Sequence, residues 1–136
     1  MKQQAFYLML LPLLMALGCR ESDPLNRQAV SGKITLDGEP LAEGTVDFTP
    51  VNNGVPSGAS LKDGVFTIPK EKGLPPGDYI VRVSAANPSG ITADVPGESN
   101  QISLELIPEK YNTKSELSFH VDEKGSNVLD LDLKVK

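Results

Sequence analysis

Cys19 is the only cysteine of this chain and His120 its only histidine. A lone thiol can act as a nucleophile, pair with another chain or accept a covalent group. A lone imidazole can move a proton or ligate a metal. Asp130 and Asp132 stand two residues apart, the spacing that sends both carboxylates to one face of a strand. Such a pair can bind Ca²⁺ or divide acid and base work. Tyr111 is the one aromatic after residue 18 that lies outside an alternating apolar run. An exposed ring there could stack against a sugar.

Each of these has a plainer reading. His120 alternates with Leu117, Phe119 and Val121, so it faces away from the apolar side as a solvated strand residue. A metal site on one His needs carboxylates from elsewhere, which leaves His120 a remote ligand candidate. A Ser-His-Asp triad needs a placed nucleophile, and the chain has no G-x-S-x-G elbow. Calcium needs about six to eight oxygens, and no EF-hand-like loop accompanies Asp130 and Asp132. Those two charges read as groups that keep a last strand soluble and blunt its edge. There is no Trp, and Tyr111 reads as packing against the domain, with a ligand role the lesser alternative. No Gly-rich phosphate loop occurs. No cofactor and no metal are implied.

Cys19 is different, because its surroundings specify its chemistry. Lys2 precedes an almost wholly apolar run from Ala5 to Leu17, and Gly18 precedes the cysteine. A charged start, a short apolar core and a small residue at the cut describe a secretory signal. The run falls short of the roughly 20 residues that span a bilayer, and Pro12 lies inside it. Ala16-Leu17-Gly18-Cys19 resembles a bacterial lipobox, with Ala16 where Leu is commonest. The resemblance implies cleavage between Gly18 and Cys19, a diacylglyceryl thioether on Cys19 and acylation of its new amine. Each buried CH₂ contributes about 0.8 kcal/mol, so two or three chains hold a protein firmly at a membrane. Arg20 does not match the Asp that retains such proteins in an inner membrane, which favours the outer membrane. The plainer alternatives are an ordinary signal peptide that leaves a free Cys19, and an uncleaved N-terminal anchor.

Loss of residues 1–18 would leave residues 19–136, one ordinary domain. It would also take Lys2 away and move the net charge from −5 to −6. The basic residues are scattered, which argues against nucleic acid, whose phosphates call for a basic stripe. One cysteine allows no internal disulfide.

The elements that must position these residues are strands. Ser22 to Gln28 is polar and contains Pro24, a tether within the stretch 19–28. From residue 29 the apolar period is two. Val30, Ile34 and Leu36 share a face, then Val46 and Phe48, then Tyr79, Val81, Val83 and Ala85, then Leu129, Leu131, Leu133 and Val135. Asp37-Gly38 and Asp63-Gly64 are turn pairs; the second, flanked by β-formers, predicts a hairpin. Ile102 to Leu106 is a short strand or a loop lining. Asn87 to Ser99 is rich in Pro, Gly and Ser and predicts a long loop, whose opening residues Asn87, Pro88, Ser89 and Gly90 are the candidate binding loop. No segment after residue 18 sustains a helical period. The expected fold is all-β, a single antiparallel sandwich of about seven strands over residues 29–136.

Val30-Ser31-Gly32-Lys33-Ile34, Asp37-Gly38-Glu39-Pro40-Leu41 and Gly44-Thr45-Val46-Asp47-Phe48 resemble the opening of carboxypeptidase regulatory-like domains, which are transthyretin-like (prealbumin-like) Greek-key sandwiches. Asp63-Gly64-Val65-Phe66 and Leu74-Pro75-Pro76-Gly77-Asp78-Tyr79-Ile80-Val81 resemble their later strands. Ile107-Pro108-Glu109-Lys110-Tyr111-Asn112, followed by Ser115-Glu116-Leu117, resembles a recurring tail of small secreted lipoproteins of planctomycete-type bacteria. The likeness covers nearly all of 28–136. In carboxypeptidases this domain accompanies the catalytic one and is not itself the enzyme. Transthyretin-like ureide hydrolases end in a characteristic tetrapeptide, which Leu133-Lys134-Val135-Lys136 does not match.

These readings converge on a non-enzymatic module of the cell envelope, lipid-anchored outside the cytoplasm and binding or supporting an envelope protein through a sheet edge or the Asn87 loop. Self-association through edges is a related expectation. The alternatives are a small-ligand or carbohydrate-binding sandwich and, further off, a hydrolase with an unrecognised site.

Overall fold

The computed structural model describes residues 22–88 and 104–136, so Gly18, Cys19, Ser89 and Gly90 lie outside the described residues. Eight strands follow in order: β1 Val30–Leu36, β2 Glu39–Pro40, β3 Glu43–Pro50, β4 Ser57–Lys62, β5 Val65–Ile68, β6 Gly77–Ser84, β7 Ser118–Val121 and β8 Asn127–Leu133. Apart from two three-residue 3₁₀ turns, Lys70–Lys72 and Glu109–Tyr111, the described residues contain no helix. The all-β expectation therefore holds.

Two tight turns act as predicted. Asp37 and Gly38 have φ of 52° and 88°, and Asp63 and Gly64 have 52° and 76°. Both central residues of each pair are left-handed, which suits the twist of a two-residue hairpin. The first turn pairs Leu36 with Glu39 and the second pairs Lys62 with Val65.

Lys62 with Val65 is the single residue pair that registers β4 against β5. Beyond it the two strands take different partners. β4 runs along β3, which runs along β6, and β6 along β7. β5 instead lies on β1. One continuous sheet thus curls at the β4–β5 corner into two halves. β1 is flanked by β5 and β2 on one side and by β8 on the other, and all pairs are antiparallel except β1 with β8. That parallel pair joins the start of the domain to its last strand across seven residues, Val30↔Asn127 to Leu36↔Leu133.

The core lies between the halves. Val46, Phe48, Tyr79, Val81 and Val83 from one half meet Val30, Ile34, Phe66, Ile68, Leu129 and Leu133 from the other. The rings of Phe48 and Phe66 are 6.0 Å apart across this core, and Phe119, half-buried, stands 6.0 Å from Phe48. Tyr79 is fully buried, yet its hydroxyl donates to the Pro75 carbonyl at 2.8 Å. Burial pushes that phenol's pKa up. Gly77, at φ 147°, lets the chain swing from Pro75-Pro76 into β6 beneath that bond. One face assignment fails: β8 ends at Leu133, and Val135 is 50% exposed rather than inward. Once pairing with β1 stops at Leu36, nothing extends the alternation.

Candidate functional site

The strand directions sort the connections to two ends. Val30 pairs with Ile68 and with Asn127, Phe48 with Ser57, Pro50 with Tyr79 and Gly77 with Val121. The connections 51–56, 69–76 and 122–126 therefore share one end with the segment 23–28, the proximal end. The turns at Gly38 and Gly64, the start of β3 and the end of β6 share the other, distal end. β6 has eight residues, about 26 Å at roughly 3.3 Å per residue.

The candidate loop leaves from the distal end. Asn87 donates its backbone N–H to Leu104 at 2.7 Å, and Leu106 donates to Ala85 at 2.8 Å. These bonds hold the two flanks of 89–103 side by side. Glu105, between them, bridges singly to Ala86; of the segment Ile102–Leu106, expected as a short strand or a loop lining, residues 102 and 103 lie outside the described residues. The Glu105 carboxylate accepts from the N–H of Ala85 at 2.8 Å, the N–H of Ile107 at 2.9 Å and the Ser84 hydroxyl. Burial pushes its pKa up, but these donors outweigh burial and hold it below the usual range. Pro88 joins Leu41, Ala42, Lys62, Asp63 and Leu106 around a cleft of about 290 Å³.

His120 stands where its alternation put it, exposed on β7 and directly opposite Asp78 of β6. Its Nδ1 lies 2.7 Å from Asp78 and its Nε2 3.7 Å from Asp122. The hydrogen bond to Asp78 is the main cause that raises its pKa. The carboxylates approach opposite ring nitrogens, so the three groups do not converge on one point. Among the described residues no group of three His, Cys, Asp or Glu side chains could hold a metal.

Asp130 and Asp132 share the outer face of β8, and each is engaged separately with β1. Asp130 accepts from the Lys33 backbone N–H at 3.0 Å. Asp132 accepts from the Thr35 hydroxyl at 2.8 Å and the Gly38 N–H at 3.2 Å, and pairs with Lys134 at 2.7 Å. Lys134 foremost, then Thr35, holds the Asp132 pKa down. Tyr111 packs partly buried against the core, and its hydroxyl accepts from the Lys134 N–H at 3.3 Å.

Sequence reasoning passed over several polar residues that the fold uses. β7 covers only Gly77–Ile80 of the outer edge of β6. The rest of that edge is covered by the Pro108–Leu117 segment. Asn112 Nδ2 donates to the Val83 carbonyl at 3.0 Å, the Ser115 hydroxyl to the Val81 carbonyl, and the Val81 N–H to Leu117 at 2.8 Å. Asn127 is buried and exchanges two hydrogen bonds with the backbone of Asp122, at 2.8 and 3.1 Å, which closes the β7–β8 turn. Asn112 and Ser115 stood out only as part of the tail resemblance, which gave them no structural role; Glu105 and Asn127 carried no signal.

No protein-family model, curated protein or solved structure matches this chain. No helix among the described residues is long and apolar enough to cross a membrane.

Proposed function

We propose that the chain is a lipid-anchored, non-enzymatic module of a bacterial cell envelope, outer membrane favoured, held through Cys19 and presenting its distal end to an envelope protein. The observation that carries this reading is the opposition of the two ends. Gln28 and Leu74 exchange backbone hydrogen bonds at 2.8 and 3.0 Å, so the chain from Cys19 arrives at the proximal end. The base of the Asn87 loop and the cleft beside Pro88 lie at the distal end. An anchored domain built this way can hold its cleft clear of the lipid that holds it. Among the described residues, His120, Asp130, Asp132 and Tyr111 are each engaged with a neighbouring side chain or backbone group, which also favours a binding role.

The same cleft, with Lys62 and Asp63 beside Leu41 and Leu106, is where a small ligand or sugar would fit. The outer edges of β7 and β8, each paired on one side only, are where a second copy or an added strand would lie. In-cell photo-cross-linking separates these readings. A photoreactive residue at Ala42 or Pro88 should capture one defined envelope protein, and one at Thr67 on the outer face should not. Cys19→Ala should abolish the capture. Capture of a second copy would move the proposal to self-association. No product from Ala42 or Pro88 would defeat the protein-partner reading and leave the small-ligand one.

A further inference from the structure

We infer that the proximal end of the domain is a seat for phospholipid headgroups, resting against the membrane that carries the anchor. The inference rests on the proposed lipidation of Cys19 and adds to it a defined contact surface.

The segment before β1 is folded onto the domain. The Asp23 carboxylate accepts from the N–H of Leu25 at 3.1 Å and of Arg27 at 2.8 Å, and pairs with the Arg27 guanidinium at 3.0 Å. Asn26 Nδ2 reaches Glu123 of the β7–β8 turn at 3.0 Å. Gly73 lies so close to Gln28 that a Cβ there would stand 2.0 Å from the Gln28 carbonyl oxygen. The strap is therefore fixed from Asp23 onward, to both neighbouring connections. The step from Cys19 to Asp23 is four residues, at most about 14 Å when extended. That is shorter than the roughly 26 Å length of β6, so the proximal end stays near the lipid and the distal end lies beyond the reach of the step.

The surface of that end suits the contact. Leu25 is 39% exposed, Val51 57% and Val55 45%. They project from the strap and from the β3–β4 connection, and the Ser57 hydroxyl ties that connection to Lys72 at 3.1 Å. Arg27, Lys70, Lys72 and Lys124 there nearly offset Asp23, Glu71, Asp78, Asp122 and Glu123. Among the described residues the acidic excess therefore lies mostly on the rest of the domain, which an anionic surface repels. Exposed aliphatic tips among long basic side chains fit the boundary between headgroups and acyl chains.

The test uses the full chain, processed by cells and reconstituted into phosphatidylethanolamine–phosphatidylglycerol vesicles with a quencher on the headgroups. A fluorophore is placed at Asn53→Cys or Lys124→Cys, proximal, and at Glu39→Cys or Pro88→Cys, distal. Quenching should be several-fold stronger at the proximal pair. Leu25→Ser, Val51→Ser and Val55→Ser combined should weaken it there while the protein still floats with the vesicles. Equal quenching at both ends, in protein whose flotation requires Cys19, would overturn the seat alone. So would stronger distal quenching. An N-terminal peptide of the vesicle-bound protein with no acyl mass on Cys19 would overturn the anchor beneath it.

Discussion

The His120 imidazole has carboxylates on both sides, Asp78 close and Asp122 farther, and its pKa is raised above the ordinary 6.5, chiefly by the hydrogen bond to Asp78. Because the folded value exceeds the unfolded one, the stabilisation from this pair is fully present below about pH 6.5. It is lost as the pH rises through the folded value. An NMR titration should give His120 a pKa above that of a free imidazole, and Asp78→Asn should lower it. An unshifted value in the wild type would remove the cross-strand pair as its cause. The face of His120 was legible in the sequence, since alternation alone puts it opposite Phe119 and Val121. Its partner was not, because Asp78 is 42 residues away and only the β6–β7 register brings it near.

The outer edge of β6 is the element that the tail segment protects. An open edge offers unpaired N–H and C=O groups to any passing strand. β7 is too short to cover it, and Asn112 and Ser115 bond two of the remaining carbonyls with side chains. The double variant Asn112→Ala with Ser115→Ala should lose about 2 kcal/mol, roughly 1 per hydrogen bond. Denaturant titration would measure the loss, and the variant should also aggregate faster at equal stability. Unchanged stability and aggregation would mean that water satisfies this edge. The strands themselves were readable from period-two patterning and from the Asp-Gly turns. The cap was not, because a side chain that stands in for a strand leaves no periodicity.

Closure of the whole molecule depends on β1 meeting β8 at the first and last stretches of the domain. Gly32 makes this possible. A Cβ at that position would stand 1.8 Å from the Leu129 carbonyl oxygen and 2.8 Å from the Phe66 ring. Neither can retreat, since Leu129 is held in register on β1 and Phe66 is buried in the core. Gly32→Ala should cost about 3 kcal/mol by the forced separation of packed groups, read as a lower midpoint in denaturant. A cost below about 0.5 kcal/mol, the ordinary range for surface substitutions, would show that the β1–β8 contact is not required.

By itself the sequence determined most of what depends on neighbours along the chain. It set the strand period, the left-handed Asp-Gly turns, the inward faces of β3 and β6 and the outward Asp130 and Asp132, because alternation and φ preference are local. Only the tertiary structure decided that β1 and β8 run parallel, that β4 and β5 part after one residue pair, and that Asp23–Gln28 is folded down rather than free. It also decided that the Asn87 loop leaves from the end opposite that strap. Each of these is a contact between residues far apart in sequence, selected by which faces can be buried together, and no local pattern encodes that choice.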